Sequence, residues 1–216
     1  ASKPDCPRMG KRHCWRGRKC LTERWAVSHH DGTIYYLPGR GGRVDEGLGL
    51  ALQSRGLTVY GRHLFGEFQR LRFSDQIQVI AEDLKHGFWN KNALVVANSF
   101  GAYLFLHAQT LLDPFPGKVL LLSPIIGATA APGNGPRFSP PFAERLLQLA
   151  QGGELTKPTR CEIHVGEADW QSEPAKVGRF GELARIPVTI VPGGGHMLDK
   201  VYVSDLLDRW HPAPVT

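Results

Sequence analysis

The stretch Ala93-Leu94-Val95-Val96-Ala97-Asn98-Ser99-Phe100-Gly101-Ala102-Tyr103-Leu104-Phe105-Leu106-His107 decides the fold. A continuous apolar run gives way to a short turn and then to a second apolar segment. It reads as a buried strand at 93–97, a sharp turn holding Ser99, and a helix over 100–111. A serine hydroxyl is a poor nucleophile in an ordinary loop. On a strained strand-to-helix turn its oxygen stands clear of the backbone. The first N–H groups of the new helix then point to where a reacting carbonyl develops negative charge. Ala97 and Gly101, two residues either side of the serine, are small enough for strand and helix to approach closely. The usual pattern is Gly-x-Ser-x-Gly, so Ala97 is a departure that alanine's size permits.

Working outward, strand and helix patterns alternate. Residues 21–28 read as a strand, with His29-His30-Asp31-Gly32 as a turn before the strand Thr33-Ile34-Tyr35-Tyr36-Leu37. That strand stops at Pro38-Gly39-Arg40-Gly41-Gly42. Helical spacing near 46–55 ends at Gly56, and 57–60 is a short strand. Ser74 or Asp75 is expected to cap a helix with Ile77, Ile80, Ala81 and Leu84 on one face. Lys118 to Ser123 is a further apolar strand. Residues 124–141, rich in Gly, Pro and Ala, read as an excursion loop, and 142–151 as a helix. Strands at 161–165 and 188–191 and an amphipathic helix near 198–210 complete the pattern. Apolar strands alternating with amphipathic helices imply the α/β class, with a mostly parallel sheet flanked by helices. The reading divides the chain into an irregular N-terminal arm, 1–20, and a single domain, 21–216. No repeat, low-complexity tract or linker breaks the domain.

The 216 residues carry a formal charge of +6. All of it falls in the arm. Residues 1–19 hold seven basic groups (Lys3, Arg8, Lys11, Arg12, Arg16, Arg18, Lys19) against Asp5, and the remainder is balanced. Such an arm attracts an anionic partner or is a solvated extension. Cys6, Cys14 and Cys20 lie in it, but their Cys-x7-Cys-x5-Cys spacing lacks the close pair of a structural zinc site, so no metal is expected. A disulfide within the arm requires an oxidising compartment. There is no 18-residue apolar run for a membrane span. The first 30 residues lack the apolar core of a signal peptide, so a cytoplasmic location is expected.

In a parallel sheet, ligands bind where loops leave the carboxyl ends of the strands. Three polar residues sit at such ends in the order Ser, Asp, His. Ser99 follows one strand; Asp169 follows Ile163-His164-Val165 through Gly166-Glu167-Ala168. His196 follows Val188-Thr189-Ile190-Val191 through Pro192-Gly193-Gly194-Gly195. His196 is suited to take the proton of Ser99 and return it to a leaving group, with Asp169 fixing the imidazole tautomer. Two backbone N–H donors are needed for an oxyanion, and Phe100 and Arg40 are the candidates. Phe138 and Trp170 are candidates for lining an acyl pocket, although core packing explains them as well. Glu167 reads as loop structure or a cap, and His164 as an interior residue. Arg40 and Arg43 either favour an anionic substrate or are solvated loop charges.

These four segments together resemble the α/β-hydrolase family: the Leu37-Pro38-Gly39-Arg40-Gly41-Gly42 loop, the Ser99 elbow, Gly166-Glu167-x-Asp169, and Gly195-His196. The resemblance covers residues 33–210. It implies a cofactor-free serine hydrolase acting on a small-molecule ester, thioester or amide. Pro38 departs from the histidine common before the oxyanion-loop glycine. The 18 residues at 124–141, where larger members insert a helical lid, imply a compact member with an open, shallow site. The leading expectation is cleavage of an acyl ester or thioester. The alternatives are an acyltransferase using the same three residues and a non-catalytic binding protein that kept the fold.

Overall fold

The computed structural model describes residues 32–131, 133, 135 and 137–211. The basic arm with its three cysteines and anionic partner, and the strand expected at 21–28, lie outside the described residues. The element order is β1 (Thr33–Leu37), α1 (Leu48–Gln53), β2 (Thr58–Gly61), α2 (Gly66–Arg70), α3 (Phe73–Gly87), β3 (Leu94–Asn98), α4 (Phe100–Gln109) and β4 (Lys118–Leu122). After these come β5 (Thr129–Ala130), β6 (Arg137–Phe138), α5 (Arg145–Gln151), β7 (Arg160–Gly166), α6 (Pro174–Ala184), β8 (Val188–Val191) and α7 (Lys200–Trp210).

Six strands form one sheet in the order β2-β1-β3-β4-β7-β8. Every neighbouring pair is parallel. Alternation along each strand feeds two cores, because successive side chains point to opposite faces. Tyr35, Leu37, Val95, Ala97, Val119 and Leu121 face one core, which α3, α4, α5 and α6 cover. Ile34, Tyr36, Leu94, Val96, Leu120 and Leu122 face the other, which Leu52 of α1 and Leu206, Leu207 and Trp210 of α7 close. Full burial of each large apolar side chain contributes about 1.5–3 kcal/mol. Helix α4 is buried from Gly101 to Gln109, so it has no solvent face and shows little amphipathic pattern.

The topology places the site. The chain runs from β1 outward to β2, then crosses back so that β3 pairs with the other side of β1. Loops leaving β1 and β3 therefore part in opposite directions and open a crevice at their carboxyl ends. Pairing of Leu37 with Ala97 sets the Gly39 loop beside Ser99. Pairing of Gly166 with Val191 sets the Asp169 loop beside the His196 loop.

Some boundaries differ from expectation. Helix α3 begins at Phe73 with Arg72 at its N-cap, and neither Ser74 nor Asp75 caps it. The Asp75 carboxylate instead accepts two hydrogen bonds from the Arg72 guanidinium, both 2.9 Å. The excursion at 124–141 contains the short antiparallel ribbon β5–β6. Helix α5 starts at Arg145 rather than 142. Among the described residues no helix is long and apolar enough to cross a membrane.

Candidate active site

Ser99 sits between β3 and α4 with φ 53° and ψ −118°. A non-glycine residue in this region is strained by about 1–3 kcal/mol, and surrounding structure must hold it there. The hold is visible on both sides. The Ser99 N–H donates to the Leu122 carbonyl at 2.9 Å, and its carbonyl accepts from the Tyr103 N–H at 3.2 Å. The residue as a whole is only 8 % exposed.

Its hydroxyl lies 2.8 Å from His196 Nε2. On the other side of the ring, His196 Nδ1 lies 2.9 and 3.0 Å from the two carboxylate oxygens of Asp169. An ionised carboxylate only accepts, so Nδ1 carries the proton and Nε2 accepts from the serine. Asp169 is fully buried. Burial alone would push its carboxyl pKa up. The hydrogen bonds from His196 and from the Ser172 N–H outweigh it and hold the pKa below the ordinary carboxylate value. The N–H groups of Gln171 and Ser172 both donate to Oδ1 at 3.0 Å, a turn in which the aspartate folds back on its own loop.

Ser172 is a residue the sequence reading did not single out. Its hydroxyl donates to the Ser123 carbonyl at 2.7 Å and lies 3.4 Å from His196 Nδ1. The Asp-x-x-Ser spacing at 169–172 is the local signal for it, since it matches an aspartate turn. Its position against Ser123 depends on the tertiary fold. Glu167 acts as loop structure: its carboxylate accepts from the Gly193 N–H at 3.0 Å and ties the acid loop to the histidine loop.

The glycine loop after β1 lies against the serine. A Cβ added at Gly39 would stand 3.5 Å from Ser99 Cβ. In that loop the Gly41 N–H donates to Leu64 and the Gly42 N–H to Gly39, both at 2.9 Å. The Arg40 N–H, just before them, donates to no backbone carbonyl among the described residues. The Phe100 N–H is the first of α4 and has no partner within the helix. These two donors are the ones the sequence nominated for an oxyanion.

Phe138, carried in by the β5–β6 ribbon, meets Phe100 edge-on at 6.3 Å and lies under the Arg40 guanidinium at 5.7 Å. With Leu104, Phe73 and Pro140 these residues line a cavity of about 260 Å³. Trp170 is not brought there. Asp169 turns inward, so its neighbour turns out, and Trp170 is 39 % exposed and lines neither cavity beside Ser99. Arg43 is spent on its own loop, its guanidinium paired with Asp45 at 2.9 and 3.0 Å. His164 is interior, and its Nδ1 meets the Tyr202 hydroxyl at 2.7 Å.

Six parallel strands, helices on both faces and a serine at the turn from β3 to α4 define the α/β-hydrolase fold. Solved structures bear this out. The chain is similar to a monoacylglycerol lipase of Paleococcus ferrophilus, at 14% identity over 83% of this chain and 95% of that one, with a TM-score of 0.60. It is similar to a thioesterase domain from the curacin biosynthetic pathway, at 12% identity over 82% and 91% of the two chains, TM-score 0.59. It is also similar to a serine hydrolase without a lid from Xanthomonas campestris, at 16% identity over 85% and 84%, TM-score 0.54. No protein-family model matches the sequence, and no curated protein matches it.

Proposed function

We propose that the protein is a serine hydrolase that cleaves a carboxylic ester or thioester through an acyl intermediate on Ser99. The observation that carries the reading is the unbroken line from Ser99 Oγ to His196 Nε2, and from His196 Nδ1 to the buried Asp169 carboxylate. Neighbours in fold that are named as a lipase, a thioesterase domain and a serine hydrolase support it.

In this reading each residue has one role. His196 Nε2 takes the Ser99 proton as Oγ attacks the acyl carbon. The Asp169 carboxylate, held ionised by its hydrogen bonds, fixes the reactive tautomer and stabilises the imidazolium. Negative charge on the former carbonyl oxygen meets the N–H groups of Arg40 and Phe100. The imidazolium returns its proton to the leaving oxygen or sulfur, and the carbon–heteroatom bond breaks. Water then repeats the sequence and releases the acid.

A fluorophosphonate probe should label the wild-type protein and should not label Ser99→Ala. Turnover of p-nitrophenyl acetate should fall about 10⁴-fold or more in Ser99→Ala, and nearly as far in His196→Ala, because such residues act as a unit. Undiminished turnover in a folded Ser99→Ala variant rejects the reading.

A further inference from the structure

Two arginines follow β1, and the charge of only one is matched. Arg43 is paired with Asp45 at 2.9 Å and with Glu46 at 3.1 Å. Among the described residues the Arg40 guanidinium makes no ion pair and no hydrogen bond; it lies 5.7 Å from the centre of the Phe138 ring. The ring attracts the cation but offers no acceptor, so the N–H donors of the guanidinium stay unspent.

Arg40 stands in the wall of the cavity of about 260 Å³ beside Ser99. It is the one cation in that wall, and neither Asp nor Glu lines it, so nothing there repels an anion. Two glutamines add polar groups. Gln76 is buried and spends its amide nitrogen on the Phe68 carbonyl at 2.9 Å. Gln69, exposed on α2, keeps its amide unpaired among the described residues. The cavity is smaller than the roughly 300–1,000 Å³ usual for small-molecule sites, which suits a short chain.

We propose that the Arg40 side chain selects a short acyl group ending in a carboxylate, so that the substrate is a half-ester or half-thioester of a small dicarboxylic acid. The inference rests on the hydrolase reading above. In that reading the Arg40 backbone N–H holds the acyl carbonyl oxygen. The side chain of the same residue reaches Phe138 across the cavity. An acyl chain lying there meets the backbone of Arg40 at one end and its guanidinium at the other. A guanidinium can bind a carboxylate through two parallel N–H···O bonds, which a neutral chain end does not reproduce. Lys200 is the rival cation. It lines the other cavity beside Ser99, of about 420 Å³, which lies between α1 and α7 and has His196 in its wall.

The test compares monomethyl glutarate with the same methyl ester carrying a terminal carboxamide in place of the carboxylate, both followed by acid release in a pH-stat. The quantity read is the ratio of kcat/KM, carboxylate over carboxamide. It should be about tenfold or more in the wild type, a modest preference because Arg40 is exposed and its charge is screened. Arg40→Gln should bring the ratio near unity. A shift of the Arg40 N–H slows both esters and cancels in the ratio. Phe138→Leu, which removes the ring and keeps the cation, is the second variant should the first fail to fold, and it should lower the ratio about threefold. Arg43→Gln and Lys200→Gln should keep the wild-type ratio. Fluorophosphonate labelling of Ser99 is measured in every protein. A labelled wild type whose ratio is near unity, or that leaves the glutarate ester uncleaved, overturns the Arg40 assignment and leaves the hydrolase reading standing. So does a ratio unchanged in Arg40→Gln, or in Phe138→Leu where that variant stands in for it, and so does a ratio lost in Lys200→Gln. A wild type that does not label overturns the hydrolase reading, and the Arg40 assignment with it.

Discussion

At the scale of single residues, backbone strain at Ser99 and burial at His107 each carry a measurable cost. Ser99 holds φ 53°, a conformation that glycine adopts without a Cβ penalty. Ser99→Gly and Ser99→Ala both delete the hydroxyl proposed as nucleophile, but only glycine relieves the backbone. Urea unfolding should find Ser99→Gly more stable than Ser99→Ala by about 1 kcal/mol, and the reverse order would show that the turn is not strained. His107 is the second case. It lies inside α4 among Phe73, Tyr103 and Phe142, and its Nε2 is buried without a partner among the described residues. Burial, with the nearby Arg145 adding to it, pushes the imidazole pKa from 6.5 down to about 4. The unfolded chain therefore binds a proton between those values that the folded chain refuses. Stability is unaffected by this group above pH 6.5 and is lost as pH falls towards 4, by about 3 kcal/mol in total. His107→Leu should flatten that limb of the stability curve. A wild type equally stable at pH 7 and pH 4.5, with the variant tracking it, would disprove the assignment. Asp169 titrates separately and lower, since its hydrogen bonds depress its pKa. The stability that its ionised form contributes is lost only as pH falls below the ordinary carboxylate range.

At the scale of elements, the loops are held by glycines whose importance is space rather than dihedral freedom. A Cβ at Gly101 would lie 2.3 Å from the Pro38 carbonyl oxygen, so α4 rests directly on the backbone of the loop that follows β1. A Cβ at Gly166 would lie 2.3 Å from the carbonyl oxygens of both Gly194 and Gly195. Backbone cannot rotate out of the way as a side chain can. Gly166→Ala should thus displace the His196 loop and lower kcat about 100-fold, as a misplacement of roughly 1 Å does. Gly178 in α6 is the control: a Cβ there meets nothing within 4 Å. Gly178→Ala should keep full activity and gain about 0.5–1 kcal/mol of stability. Wild-type kcat in Gly166→Ala would show that the loop contact does not position the histidine. The strands were legible because β1, β3 and β4 are continuous apolar runs, and the elbow because its serine falls between strand and helix. Helix α2 and the β5–β6 ribbon were not. Five residues in one and two per strand in the other are too short to show a period, and tertiary contacts alone order them. The start of α3 was misread because Asp75, a good cap by type, is claimed by Arg72 three residues earlier.

At the scale of the whole molecule, the order of strands brings together residues that lie far apart in the chain. Ser99 and His196 are 97 positions apart, and Asp169 and His196 are 27 apart, yet each pair is within hydrogen-bond reach. That much followed from strand ends and loop order. The two cavities did not, because each is enclosed by helices on one face of the sheet, and no linear pattern records how far apart two helices stand. Charge divides the molecule in another way. The excess of +6 lies within residues 1–19, and everything after them is balanced. Charges on a solvated surface are screened over about 8 Å at physiological salt, so they act on an anionic partner at contact and little on a neutral ester elsewhere. Replacing Lys11, Arg12, Arg16, Arg18 and Lys19 with glutamine should leave turnover of p-nitrophenyl acetate within about threefold, since that substrate offers the arm no charge to attract. Binding to heparin or to anionic vesicles, where the unsubstituted protein shows it, should weaken and lose its salt dependence. Complete deletion is the poorer test, because Trp15 gives the arm an apolar group whose loss would mix packing with electrostatics. A hundredfold fall in neutral-ester turnover, at unchanged melting temperature, would mean that the arm's charges act at Ser99 and that the division of the chain at residue 20 is wrong.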